Sequence, residues 1–242
     1  MMKSTKAMAI ALAIGLGFNG LANAEERAWA WSPLGIGIAA PVQLPFIESD
    51  IFYGIRIGGF FGYNNDVYGI DAGVAEICAG DFAGIQASAL SWTEGNAYGL
   101  QLGALANVVE GNSVALQTGL VNANWGDAGG LQLGVVNYNS NYKGVQFGGI
   151  INWNELASYG LELGLINANQ DEFTGWALGA LVNYSDKFRG CGIGLINTAY
   201  DARGCQIGLV NACDRMHGVQ FGLINLICES KLPIMVLANA WF

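Results

Sequence analysis

Charge is scarce in this chain, with Asp, Glu, Lys and Arg making up only 12% of the residues. The ten basic residues stand singly among 19 acidic ones, so no Lys/Arg cluster provides the footprint that nucleic acid requires. His217 is the only histidine, which leaves no Ser-His-Asp arrangement to support. Five cysteines are present without a C-x-x-C pair, so no structural zinc pattern forms. No run of about 20 apolar residues occurs, and no transmembrane helix is expected in the mature chain. Catalysis, cofactors and metal chemistry therefore have little to stand on, and the reading is of a protein that is not an enzyme.

Glycine and apolar residues are plentiful. The 36 glycines and the 52% apolar content exclude disorder on composition and show that the fold uses glycine repeatedly. Lys3 and Lys6, the apolar stretch from Ala7 to Phe18 and the small residues Ala22-Asn23-Ala24 have the order of a secretory signal. Residues 1–24 are expected to be removed, so that the mature chain starts near Glu25.

From Tyr53 onward one unit of about 15 residues recurs, an aromatic-Gly-Leu-Gln-Leu-Gly-Leu-Val-Asn segment followed by a polar turn, and such a period has to be weighed before any local assignment. A first glycine column includes Gly54, Gly69, Gly84, Gly99, Gly130 and Gly144, with Ala115 standing in once. A second lies four residues later, at Gly58, Gly73, Gly103 and Gly119, with Ser88 filling a gap. A third column is asparagine: Asn107, Asn122, Asn137, Asn152, Asn167, Asn183, Asn197, Asn211, Asn225 and Asn239. Between the glycines, pairs such as Leu100 and Leu102 or Leu161 and Leu163 flank a Gln or Glu, the period-2 pattern of a strand with one buried face.

Two all-β architectures use such strands. In a parallel β-solenoid of about 12–13 short rungs, equivalent residues stack one strand spacing apart and the asparagines form a structural ladder. In the alternative, an antiparallel outer-membrane β-barrel, successive asparagines would fall at opposite rims and have no reason to recur. Parity favours the solenoid: Gln101 to Asn107 is six residues but Gln117 to Asn122 is five, so a corner near the second glycine must absorb the difference. The leucines are expected to form a continuous apolar interior, with the Gln column (Gln86, Gln101, Gln117, Gln132, Gln146, Gln206, Gln220) looking outward as an amide ladder or a polar face for glycans. Residues 25–50 depart from the repeat and are expected to be an N-terminal cap, with the repeat domain over residues 51–242 and Pro233 to Phe242 as its final rung.

The units Tyr98-Gly-Leu-Gln-Leu-Gly, Lys143-Gly-Val-Gln-Phe-Gly and His217-Gly-Val-Gln-Phe-Gly-Leu-Ile-Asn resemble those of the uncharacterised bacterial exported surface-repeat family. The resemblance covers nearly all of the mature chain. It implies an exported protein at the cell surface, outer membrane or periplasm, and brings no activity, ligand or catalytic residue with it.

Four further features are candidates for binding or cross-linking. The turn carboxylates Asp171, Asp186, Asp201 and Asp214 are a weak candidate cation edge, although the calcium-binding G-G-x-G-x-D repeat is absent and solvated turn residues are the simpler reading. The aromatics Trp92, Trp125, Trp153, Tyr138 and Tyr184 are candidates either to stack on sugars or to cover the corner. Cys191 and Cys205 are expected side by side inside the rod. Cys213 and Cys228, in successive turns, are the expected disulfide. The function expected from all of this is a non-enzymatic exported scaffold that binds a glycan, an envelope component or a protein partner, with an outer-membrane channel as the alternative.

Overall fold

A computed structural model describes residues 31–39, 42–44 and 51–241, with side chains at 34–36 and 53–241. The expected signal peptide lies outside these residues. Every regular element among them is a strand: β1 (Trp31–Ala39), β2 (Val42–Leu44), β3 (Ile51–Asn64), β4 (Asp66–Ala72), β5 (Ala75–Cys78), β6 (Phe82–Thr93), β7 (Ala97–Val109), β8 (Ser113–Thr118), β9 (Val121–Asn154), β10 (Ser158–Ile227) and β11 (Ile234–Trp241). The two longest, β9 and β10, each run through more than one coil.

Stacking is parallel and in register. Gly54 of β3 lies opposite Gly69 of β4, and Gly69 opposite Gly84 of β6. Gln101 of β7 lies opposite Gln86 of β6 and Gln117 of β8, and Asn167 of β10 opposite Asn152 of β9. This is a parallel β-solenoid. An antiparallel barrel is excluded, because neighbouring units run in the same direction.

Each coil has two strands joined by a corner and closed by a polar turn. The pairing of β6 with β7 slips between Ser88 and Leu90, and that of β10 with β9 between Gly164 and Ile166. The corner at the second glycine is therefore where coils of unequal length are reconciled, as the parity of the sequence requires. The first glycine column has a different cause. Gly175 has φ +145°, and a Cβ there would sit 1.9 Å from the carbonyl oxygen of Gly160 in the preceding coil. At this positive φ only a residue without a side chain fits, whereas Ala115, which takes no positive φ, pairs with Gly99 and Gly130 in the same column.

Both ends of the parallel stack are closed by an antiparallel strand. At the N-terminal end β1 continues the repeat, parallel to β3 with Gly37 opposite Gly58, and β2 folds back on it. The segment expected to be a cap thus contains a further rung. At the other end β11 runs antiparallel to β10, with Asn239 opposite Gln220, so the last segment is not the parallel rung expected. Asn239 accordingly leaves the asparagine column, and its Nδ2 is buried without a partner.

The largest departure from expectation is which face is inside. Gln86, Gln101 and Gln146 are 0% exposed, as are Asn107, Asn122 and Asn152. The apolar residues flanking them point outward: Ile57, Leu102, Phe147 and Phe221 are all exposed. The Gln column is interior, not a surface ladder, and the leucines do not form the core. Alternation separates two faces of a strand without saying which one is enclosed, and here the enclosed face is the one whose side chains hydrogen-bond from coil to coil. Apolar clusters fill only the two ends of the interior, around Val67 and Phe82 at one and around Phe173, Phe188, Met216 and Ile227 at the other.

Replacing Gly175 by Ala should cost about 2 kcal/mol or more in chemical denaturation, since both φ and the Gly160 carbonyl oppose a side chain. Gly149→Ala, whose Cβ would meet its nearest neighbour, the Val135 Cα, at 3.6 Å, should stay within about 0.5 kcal/mol of the parent.

Candidate functional site: an amide interior and an apolar outer face

Three amide columns build the interior. In the first, Asn107 Nδ2 donates to Asn122 Oδ1 at 2.9 Å, Asn122 to Asn137 at 2.9 Å and Asn137 to Asn152 at 2.9 Å. The chain of donors continues through Asn167, Asn183, Asn197 and Asn211 to Asn225. Most of these amides spend the second N–H on a carbonyl of the next corner, such as Thr118 O at 2.8 Å, Leu133 O at 3.1 Å or Ile207 O at 2.9 Å. The expected asparagine ladder therefore exists from Asn107 to Asn225.

The second column is the glutamines, whose amides donate the opposite way, Gln117 to Gln101 and Gln132 to Gln117, both at 2.8 Å. A third column, Asn124, Asn139, Asn154 and Asn169, was not singled out from the sequence. It faces the glutamines across the interior in reciprocal pairs, Gln132 Nε2 to Asn139 Oδ1 at 3.0 Å and Asn139 Nδ2 to Gln132 Oε1 at 2.9 Å. The signal was present as Asn two residues after four successive ladder asparagines, Asn122, Asn137, Asn152 and Asn167. With the interior taken as apolar, those residues read as turn.

Two acids are enclosed with the amides. Glu162 occupies a glutamine position and accepts from Asn154 at 2.8 Å, Asn169 at 3.0 Å and Ser158 at 3.4 Å. Burial raises its pKa to about 7 against the opposing pull of these donors. Near the N-terminal end Arg56 bonds Asp71 at 2.7 Å and also Glu76. Turned to face Arg56, the Asn64 amide oxygen accepts from Nε and Nη1, both at 2.9 Å. Burial opposes the Arg56 charge, but the two carboxylates outweigh it and raise its pKa. Burial and the Asp71 charge lift Glu76 to about 7 even beside Arg56. Where Ala177 and Gly192 interrupt the glutamines, the rings of Phe173 and Phe188 stack with centroids 5.9 Å apart, and a Cβ on Gly192 would touch Phe188 Cζ at 3.3 Å. Aromatic volume thus replaces the missing amides.

The outside divides into an apolar wedge and a polar edge. From Ile55 to Ile224 the outward positions between the two glycine columns and at the corner carry no charged residue, whereas the outward position just before the first glycine holds Lys143, Arg189 and Arg203 as well as tyrosines. Leu105, Leu120, Ile150, Leu165, Leu209 and Leu223 stand exposed along the corner. Aromatic residues recur at both borders of the wedge beside the turns, interspersed on the first-strand side with Lys143, Arg189 and Arg203. Tyr53 and Tyr68 stack at 5.0 Å on one side, and Trp92 and Trp125 pack at 6.1 Å on the other. Trp92, Trp125, Trp153 and Tyr138 are half-buried and Tyr184 is exposed.

Along the polar edge the turns are tied together by side chains. Asp66 Oδ1 accepts from Asp81 N and Asp81 Oδ1 from Asn96 N, each at 2.7 Å. Asn96 and Asn112 repeat the pattern at 2.9 Å and 3.0 Å. The candidate cation edge is not assembled. Asp171 is held by Lys187 at 3.0 Å, Asp186 accepts from the Tyr184 hydroxyl, and Asp201 lies 4.0 Å from Arg203, while the Asp214 carboxylate raises the pKa of the Cys228 thiol. No group of three or more His, Cys, Asp or Glu among the described residues is placed to hold a metal ion.

All five cysteines are free, with Cys213 buried and Cys228 exposed, so the expected disulfide is not formed. Cys213 belongs to the enclosed column two residues after Asn211, which withdraws it from the turn, and burial pushes its pKa up to about 12. Cys191 and Cys205 do lie side by side, the thiol of Cys205 raised by burial and by Cys191, but on the half-buried outer side of the first strand and not inside the rod. His217 is exposed, with no nucleophile assembled against it. The chain matches no family model, no curated protein and no solved structure.

Because the folded chain holds a proton on Glu162 that the unfolded chain releases, stability is complete below pH 4.5 as far as this group is concerned. It falls as the pH rises towards about 7. Glu162→Gln should remove that slope and raise stability above pH 7 by on the order of 3 kcal/mol, measured as the denaturation midpoint against pH. Asn167→Ala should cost roughly 1–3 kcal/mol, because it leaves the amides of Asn152 and Asn183 without partners. The turn variant Asp171→Ala should cost about 0.5 kcal/mol or less.

Proposed function

We propose that the protein is a non-enzymatic, exported scaffold of the cell envelope: a stiff rod that presents an uncharged apolar wedge to an envelope component and a charged edge to water. The observation that carries this reading is the wedge itself. Contiguous apolar patches beyond a few hundred Å² are rare on free soluble proteins and mark surfaces that are covered in use. A partner surface as long as the rod suits a structural role better than a small-molecule site. Among the described residues, a small cavity is lined by Phe173, Phe188, Gly192 and Gln206.

Export is supported by the charged, apolar and small-residue order of residues 1–24 and by the likeness of the repeat units to the exported surface-repeat family. A channel role lost its basis with the barrel, because the interior of this coil is filled by paired amides.

Cell fractionation with N-terminal sequencing tests the reading. A mature chain beginning near Glu25 and recovered with the envelope or periplasm is expected. Recovery in the cytosol with Met1 retained would overturn it.

A further inference from the structure

The apolar wedge has a shape and a border that select among possible covers. It is convex: apolar side chains continue from the first strand, through Leu102 and Phe147, round the corner at Leu120 and Leu165 to Ile196 and Ile224 on the second strand. A flat partner, including a second copy of this chain, would cover one side and leave the corner and the other side wet. A fluid medium covers a convex wedge completely.

Backbone chemistry points the same way. Apolar media exclude any segment with unpaired N–H or C=O groups. At the corner, where strands ordinarily lose their partners, Gly73 N donates to Ala87 O at 3.1 Å, Gly119 N to Leu133 O at 3.0 Å and Val135 N to Leu120 O at 3.0 Å. The ladder asparagines reach the same corner carbonyls from inside, Asn122 to Leu133 O and Asn152 to Leu163 O. The most immersed part of the wedge therefore presents hydrocarbon side chains over a backbone that is already satisfied. Its borders carry tyrosine and tryptophan, with Lys143, Arg189 and Arg203 among them on the first-strand side, next to charged turns, the order in which side chains partition between acyl chains and headgroups.

We propose that the envelope component recognised by the wedge is a phospholipid leaflet, with the rod lying along the membrane, its glycine corner among the acyl chains, its aromatic borders at headgroup level and its turn edge in water. This rests on the scaffold reading above and names its partner. The attachment is apolar in origin. Lys187, Arg189 and Arg215 each sit within 3.8 Å of a carboxylate of this chain, and the net charge is -9, so no surplus of positive charge drives binding and salt should not reverse it.

Flotation of the mature protein with vesicles of phosphatidylethanolamine and phosphatidylglycerol tests the proposal. The protein should float with the vesicles at low and at high salt. The variant carrying Leu120→Lys, Leu165→Lys and Leu209→Lys should lose roughly a hundredfold in partition coefficient while keeping the parent's far-ultraviolet circular dichroism, because these side chains point away from the interior. Gln170→Lys, on the turn edge, should float like the parent. Trp176 lies on the first-strand face at 58% exposure, so brominated acyl chains should quench its emission, identified by difference from Trp176→Phe. Protein that stays in the envelope fraction of cells but does not float with vesicles would overturn the lipid assignment and leave the scaffold reading intact. So would a dimer that the triple variant dissociates without any vesicle binding. Protein confined to the cytosol would overturn the scaffold reading itself.

Discussion

An amide enclosed in a coil of about 15 residues has two N–H donors and one carbonyl to satisfy, and few places to turn. Equivalent asparagines of adjacent coils meet at 2.8–2.9 Å along most of the rod, so each unit holds the next in register. The rest of the structure depends on this contact. It requires the parallel stack, which requires coils of nearly constant length, which in turn requires corners that tolerate an extra residue and a glycine column where backbones approach. A neutral hydrogen bond contributes about 1 kcal/mol net, but leaving a buried amide unpaired costs more, so the ladder enforces the register more strongly than it adds stability.

The two interior amide columns beside the corner and the first strand donate in opposite directions along the axis, forward for asparagine and backward for glutamine. Their dipoles therefore oppose each other. The third column, Asn124 to Asn169, pairs with the glutamines across the coil. Where the facing Gln–Asn pairs stop, the interior changes character: ions around Arg56 at one end, phenylalanine and methionine beside the continuing asparagine ladder at the other. Glu162 stands at the boundary of the second change, with amides on one side and Phe173 beyond it. Its raised pKa expresses what a carboxylate experiences when every neighbour is a neutral dipole and no cation is in reach.

An interior that satisfies itself through hydrogen bonds frees the outer face from any role in folding the coil. That face can then be as apolar as its surroundings demand. A soluble rod would enclose its leucines and display its glutamines. This chain does the reverse: its glutamines are enclosed and its leucines stand outside.

The coil, its parallel stacking and its corners were legible in the sequence, because a 14- to 16-residue period with ten asparagines is explained only if equivalent residues meet. The Asn107 to Asn225 ladder was legible for the same reason. Which side of the strand is enclosed was not, because Leu100-Gln101-Leu102 alternates identically whether leucine or glutamine points inward. That choice was decided by tertiary contacts between coils, where Gln101 finds Gln86 and Gln117, and by the facing Asn124 column, which pairs only when glutamine is inside. The break in the ladder at Asn239 was likewise hidden, because strand direction at β11 depends on how the last coil is closed. The turn acids Asp66 and Asp81 were visible as a column, but their role as acceptors for the next turn's N–H depended on the axial spacing of the coils. Periodicity along one chain determines what is equivalent to what, and only packing between copies of the unit decides what each equivalent position touches.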